Sequence, residues 1–360
     1  MAHESLYRKY RPSSFDEVIG QEQVTRPLAE ALRAGKVGHA YLFSGSRGLG
    51  KTSVARIFAR EINRGRYDEH DVHEIDAASS NSVEDVRALA EGVYTLPFGS
   101  DYKVYILDEV HMLSKAAWNA FLKTLEEPPG HAVFILATTE LERVPETVQS
   151  RCQVFEFKKP NRAELAAVVT NVAKKEGYTL HADAADLVAR LADGSYRDAL
   201  SILQRALVPL QGASDAIGVS KKNPAALSRE DVEKLTGAPA RELVHTLVAA
   251  LAKGERGAAL AAIEKAAQSG ADMELFLEFL IETLRAVLLI RYAPEMRAAF
   301  KNELGEDEYV ALEKIANEKG ITHNVLLVFL TASERIRYAP IQALPLELAV
   351  LELFSETTEK

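Results

Sequence analysis

Cysteine occurs once, at Cys152, in a chain of 360 residues. No intrachain disulfide can form, and a cysteine-built zinc site is excluded. A lone thiol suits a reducing compartment, so the expected location is the cytoplasm. Long apolar runs are missing too. The most apolar stretch, 275–290, is interrupted by Glu278, Glu282 and Arg285 on one helical face, the mark of an amphipathic core helix. The first ten residues lack the apolar centre of a secretory signal, so no membrane is expected. Positive charge is not in excess. A formal charge of −9 argues against wrapping nucleic acid over the whole surface. Residues 1–66 nevertheless hold twelve Lys or Arg against six Asp or Glu, so any contact with phosphate or nucleic acid is expected to be local.

What is present is an ordinary globular balance, 47% apolar and 26% charged, at a length that suits two or three domains. Short apolar runs such as Tyr41-Leu42-Phe43, Val104-Tyr105-Ile106-Leu107 and Val133-Phe134-Ile135-Leu136 alternate with helical patterns over 53–62 and 82–93. That alternation predicts an α/β domain over residues 1–160, with a parallel sheet covered on both faces. After Pro160 no further strand is expected. Helices over 163–176, 182–191 and 196–207 form a small module (161–212). Residues 213–228 read as a linker, and 229–360 as all-helical.

The segment Gly45-Ser46-Arg47-Gly48-Leu49-Gly50-Lys51-Thr52, followed by Ser53, matches G-x-x-x-x-G-K-[ST] between an apolar strand and a helix. Glycines let successive N–H groups turn inward on phosphate oxygens, and the helix N-terminus adds a favourable dipole. Lys51 is expected on the β- and γ-phosphates, and the Thr52 hydroxyl on Mg2+. Asp108-Glu109 closes the strand 104–107. Beside a phosphate loop, Asp108 would hold the magnesium shell and Glu109 would deprotonate an attacking water. Thr138-Thr139 ends the next strand, where a hydroxyl can meet phosphate or water, although threonine is common at strand ends. The expectation is a site for ATP and Mg2+.

These motifs, with Asp108–Ser114, Ser150-Arg151-Cys152, Gly194–Leu200, Leu6–Pro12, Phe15–Glu22 and Leu125–Pro129, together resemble the clamp-loader AAA+ ATPases. The resemblance is to the gamma/tau subunits of bacterial DNA polymerase III, in the family's order from residue 6 to about residue 207. It implies an AAA+ domain, a helical lid and an oligomerisation collar. It also implies an ATP-driven motor that opens a sliding clamp and loads it on primer–template DNA. The implied partners are delta- and delta-prime-type subunits, other copies of the chain and the clamp.

In that frame Thr139 stands at sensor 1. Arg151 takes the place of the arginine finger that enters a neighbour's site, and Arg197 that of sensor 2 on the lid. The nucleotide base is expected between Tyr10, Arg11, Pro12, Val18, Ile19 and the lid; Tyr7 and Tyr10 read equally well as packing aromatics. Arg87 and Lys123 are candidates for the DNA backbone, or solvated helix faces, and Ser80 is neutral where the family often has a basic residue. The chain departs from the family in one large feature. No four-cysteine module stands between the phosphate-loop helix and Glu74-Ile75-Asp76, so no zinc is expected; Asp68, His70 and His73 are the nearest substitute. A tau-type tail is not expected either. Three alternatives stand beside this reading: a non-hydrolysing scaffold subunit, a subunit like the small subunits of replication factor C, and a branch-migration motor.

Overall fold

The computed structural model describes residues 4–64, 70–217, 226–297, 300–301 and 306–355. Two compact units emerge, one over Met1–Tyr178 and Val188–Val208, the other over Thr179–Leu187 and Pro209–Lys360.

In the first unit a short helix, α1 (Leu6–Lys9), precedes α2 (Glu22–Arg33). Strands and helices then alternate: β1 (Ala40–Ser44), α3 (Lys51–Ile62), β2 (Val72–Asp76), α4 (Val83–Val93), β3 (Lys103–Asp108), α5 (Lys115–Glu126), β4 (Ala132–Thr138), α6 (Glu146–Gln149) and β5 (Gln153–Glu156). The five strands are parallel, in the order β2-β3-β4-β1-β5. Successive side chains of a strand point to opposite faces, so a strand with consecutive apolar residues feeds two cores. Leu42, Leu107, Phe134 and Leu136 meet Trp118, Phe121 and Leu125 of α5 on one face. Phe43, Ile106, Val133 and Ile135 meet Val54 and Phe58 of α3 and Leu28 of α2 on the other. Helix α4 starts on a reciprocal cap between Ser82 and Asp85.

The chain continues through α7 (Arg162–Lys175), α8 (Ala182–Leu191) and α9 (Tyr196–Ile217). Two expectations are corrected here. Strands do occur after Pro160: β6 (Thr179–Leu180) and β7 (Ala226–Leu227) pair in parallel within the second unit. Two residues are too short to display a period in the sequence. Helix α9 also continues past residue 213, where the linker was expected to begin, because a lone Gly212 costs a helix only about 1 kcal/mol. Residues 218–225 of that linker lie outside the described residues. The rest of the second unit is helical: α10 (Arg229–Thr236), α11 (Arg241–Lys253), α12 (Arg256–Gln268), α13 (Met273–Tyr292), α14 (Glu306–Ala316), α15 (His323–Ile336) and α16 (Leu344–Ser355). In α13, Phe276, Leu280 and Val287 are buried while Glu278, Glu282 and Arg285 face solvent.

Candidate nucleotide site

The strand order brings the motifs together. Strand β4 lies between β1, which feeds the glycine-rich loop, and β3, which ends in Asp108. Thr138 and Thr139 therefore fall between the loop and the two acids. Sequence places these three strands far apart; only parallel pairing aligns their C-terminal ends, where open α/β sheets bind ligands.

The loop itself depends on backbone freedom at two glycines. Gly50 (φ +95°) turns the chain into α3, whose first N–H groups are left without helical partners. Gly48 (φ +80°) carries the loop against the start of α9: a Cβ there would lie 2.1 Å from the Ser195 hydroxyl, and the Tyr196 N–H donates to the Gly48 carbonyl at 3.2 Å. Lys51 is buried, and its ammonium donates to the Gly45 and Ser46 carbonyls, the latter at 2.9 Å. Burial pushes its pKa down and Arg197 adds to this, while Glu109 and Asp108 pull the other way. The Thr52 hydroxyl donates to Asp108 Oδ2 at 2.6 Å. A hydroxyl and a carboxylate oxygen in contact beside a phosphate-type loop are hard oxygen donors, the set that Mg2+ takes. The residues present fit ATP and Mg2+.

Glu109 follows with a left-handed backbone (φ +50°) that is uncommon for a non-glycine residue. Its Oε2 accepts from the Thr139 hydroxyl at 3.2 Å and lies 3.4 Å from His111 Nδ1. His111 stands in the turn Val110–Met112, with its side chain only 7% exposed. In the sequence it is one member of the run Asp108–Ser114 with no role of its own; its spacing of two residues from Glu109 gains meaning only from the left-handed turn.

A cleft of about 1210 Å3 opens over the loop within the first unit. Tyr10, Arg11, Pro12, Val18 and Ile19 line it, as do residues Arg47 to Ser53, Asp108, Glu109 and Arg197. Gly45 and Ser46, expected in the site, are not among the cleft's lining residues; their carbonyls accept from Lys51. The Tyr10 hydroxyl donates to Glu176 Oε1 at 2.6 Å, and Lys9 pairs with the same oxygen, which ties the N-terminal segment to the end of α7. Tyr196 makes a second tie: its hydroxyl donates to the Ile19 carbonyl at 2.8 Å. The Arg197 guanidinium lies 5.8 Å from the Tyr7 ring centre. Arg11 is half-buried, and burial with the nearby Arg56, Arg197 and Arg8 lowers its pKa against the opposing pull of Glu74. Arg11 thus adds positive charge to the wall of the cleft.

Other expected residues lie elsewhere. Arg151 is outside the cleft; it pairs with Glu126 at 2.6 Å and donates to the Thr147 carbonyl at 2.6 Å. Arg87 on α4 and Lys123 on α5 are exposed. His70 faces the Phe98 ring and His73 stacks on Tyr105, while Asp68 lies outside the described residues. Among the described residues no group of three or more His, Cys, Asp or Glu is arranged to hold a metal ion.

A parallel β2-β3-β4-β1-β5 sheet with a phosphate-type loop after β1 and acids after β3 has the fold of the P-loop AAA+ ATPases. The Thermotoga maritima RuvB Holliday junction branch migration motor shares it, with a TM-score of 0.52 and 23% identity over 83% of this chain and 86% of that one. A likeness at that identity concerns the fold alone. The DNA polymerase III subunit gamma of Buchnera aphidicola subsp. Baizongia pistaciae is 30% identical, with 100% of this chain matched to 99% of that protein. The chain belongs to the DNA polymerase III gamma/tau family of clamp-loader subunits.

Three domain families match along it. "DNA polymerase III, delta subunit" covers residues 20–74 and 65–161. "DNA polymerase III clamp loader subunit, ATPase lid domain" covers 164–212, and "DNA polymerase III subunits gamma and tau domain III" covers 227–359. The tau subunit of Bacillus subtilis is 38% identical over 84% of this chain and 54% of its own length, and that of Escherichia coli K12 is 36% identical over 98% and 55%. The chain thus spans about half the length of these longer relatives. Among the described residues no helix is long and apolar enough to cross a membrane.

Proposed function

We propose that the chain is an ATP-hydrolysing motor subunit of a replicative clamp loader, which opens a sliding clamp and loads it on primer–template DNA. The observation that carries the reading is the Thr52–Asp108 contact at 2.6 Å beside buried Lys51, with Glu109 next in the chain. Lys51 binds the β- and γ-phosphates; Thr52 and Asp108 would hold Mg2+, which would supply neutralisation of the developing phosphate charge; Glu109 takes the proton of the attacking water. Thr139 acts as sensor 1 through its hydrogen bond to Glu109. Arg197 reaches the γ-phosphate from the cleft wall, and Tyr10, Arg11, Pro12, Val18 and Ile19 enclose the rest of the nucleotide.

Arg151 serves a neighbouring copy, since it lies outside the cleft of its own chain; a guanidinium supplied in trans makes hydrolysis depend on assembly. Residues 1–160, 161–212 and 229–360 act as motor, lid and collar. The partners are delta- and delta-prime-type subunits, further copies of the chain and the clamp, in the cytoplasm. Arg87 and Lys123, on helices that pack side by side, contact the DNA backbone. No zinc takes part.

The test is steady-state ATPase of the full chain, alone and with delta-type subunits, clamp and primer–template DNA. Strong stimulation by clamp with primed DNA is expected. A low rate indifferent to every addition, with ATP still bound, would replace the motor by a scaffold subunit.

A further inference from the structure

We infer that His111 is a positioning residue that selects which oxygen of Glu109 meets the attacking water, an inference that rests on Glu109 being the general base. A glutamate's terminal torsion is broad, so a base on such a side chain is poorly aimed unless one oxygen is held. Here both side-chain contacts of the carboxylate converge on Oε2, from the Thr139 hydroxyl at 3.2 Å and from His111 Nδ1 at 3.4 Å. Among the described residues no hydrogen bond reaches Oε1. Oε1 is therefore the oxygen that takes the proton.

His111 can aim Glu109 because it is itself braced. Its side chain is 7% exposed, its Nδ1 also lies 3.2 Å from the Thr138 hydroxyl, and its Nε2 lies 3.3 Å from Glu140 Oε1. Glu140 in turn donates its N–H to the Thr138 hydroxyl at 3.0 Å and pairs with Arg143. The chain of contacts runs from the end of β4 through the imidazole to Glu109. The left-handed backbone at Glu109 folds residue 111 back beneath it. Nδ1 shares a hydrogen bond with the Thr138 hydroxyl, while Glu109 Oε2 at 3.4 Å and Glu140 Oε1 at 3.3 Å flank the two ring nitrogens as ion-pair contacts. Two carboxylates thus bid for one imidazole, and a shift at the end of β4, next to the phosphate loop, changes the hold on Glu109.

The test uses the full chain with its clamp-loader partners, a fluorescent ATP analogue for affinity and phosphate release for turnover. Positioned proton transfer contributes roughly 10²–10⁴-fold to rate, and losing the aim of the base should remove about one to two powers of ten of it. Turnover of H111A is expected to fall by that amount with nucleotide affinity unchanged. H111N, whose amide nitrogen replaces Nδ1, should recover part of the loss, and E109Q should fall further than either. H111A turning over like the natural chain while E109Q is inactive would overturn the positioning role. H111A and H111N equally inactive with nucleotide affinity lost would overturn it too, since the imidazole would then only hold the site together. Undiminished turnover in E109Q would instead remove Glu109 as the base, and the positioning role with it.

Discussion

Lys51 stands at the centre of the proposed nucleotide site, and burial sets its character. Its ammonium lies out of water, with its pKa lowered by desolvation, and its acceptors are two carbonyls of its own loop. A phosphate offers a full negative charge in their place, which makes a charge-assisted contact stronger than a neutral one. Lys51→Ala should therefore weaken nucleotide binding by about 1.5–3 kcal/mol, roughly tenfold to a hundredfold, as read by titration with a fluorescent nucleotide. Unchanged affinity would remove Lys51 from the site. Gly48 gives an independent test. A methyl group there would meet the Ser195 hydroxyl at 2.1 Å on a backbone of φ +80°. Gly48→Ala should cost about 1–3 kcal/mol of local strain and weaken nucleotide binding; an unchanged Tm and affinity would show that the loop and the start of α9 are not coupled. That Lys51, Thr52, Asp108 and Glu109 would share one cleft was legible in the sequence, because a phosphate loop and a strand-end acid pair come together in this motif order. His111 and Tyr196 were not, because their partners lie across a turn or at another end of the chain.

At the scale of elements, Asp71 joins the start of β2 to the loop before β3. Its buried carboxylate accepts from the N–H groups of Phe98 at 2.6 Å, Gly99 at 2.9 Å and Ser100 at 2.9 Å. Burial alone would raise its pKa, but the donors outweigh it and hold the carboxyl below the usual carboxylate range. A carboxyl whose pKa is lowered on folding stabilises the fold at pH above its ordinary value of 3.8, and that contribution is lost as pH falls through the lowered one. Asp71→Asn should cost about 1–3 kcal/mol at neutral pH, and the difference from the natural chain should shrink as pH drops below about 4. Denaturant midpoints at neutral and acid pH read it; a difference constant across pH would show that the charge plays no part. The strands that build this unit were readable as apolar runs. The two-residue strands β6 and β7 and the continuation of α9 to Ile217 were not, since the first carry no period and the second runs through a glycine that punctuates only weakly.

For the whole molecule the informative residue is Arg151, whose guanidinium rests on Glu126 at the surface instead of entering its own cleft. Arg151→Ala should leave nucleotide binding intact while cutting hydrolysis in the assembled complex by about 10³-fold or more. An equal loss in the isolated chain and in the complex would mean that the arginine acts within its own subunit. Composition, the apolar runs and the glycine-rich loop determined by themselves that a parallel α/β unit with a phosphate loop comes first and helices follow. They did so because strand period, loop glycines and the lysine–hydroxyl pair are dictated by chemistry within a few residues of chain. Tertiary structure alone decided that β4 enters between β1 and β3, that Thr139 and His111 converge on one oxygen of Glu109, and that Tyr196 reaches Ile19. Those contacts depend on which strands pair and how the two ends of the unit close on each other. Burial of two apolar faces sets that closure, and no short stretch of residues encodes it.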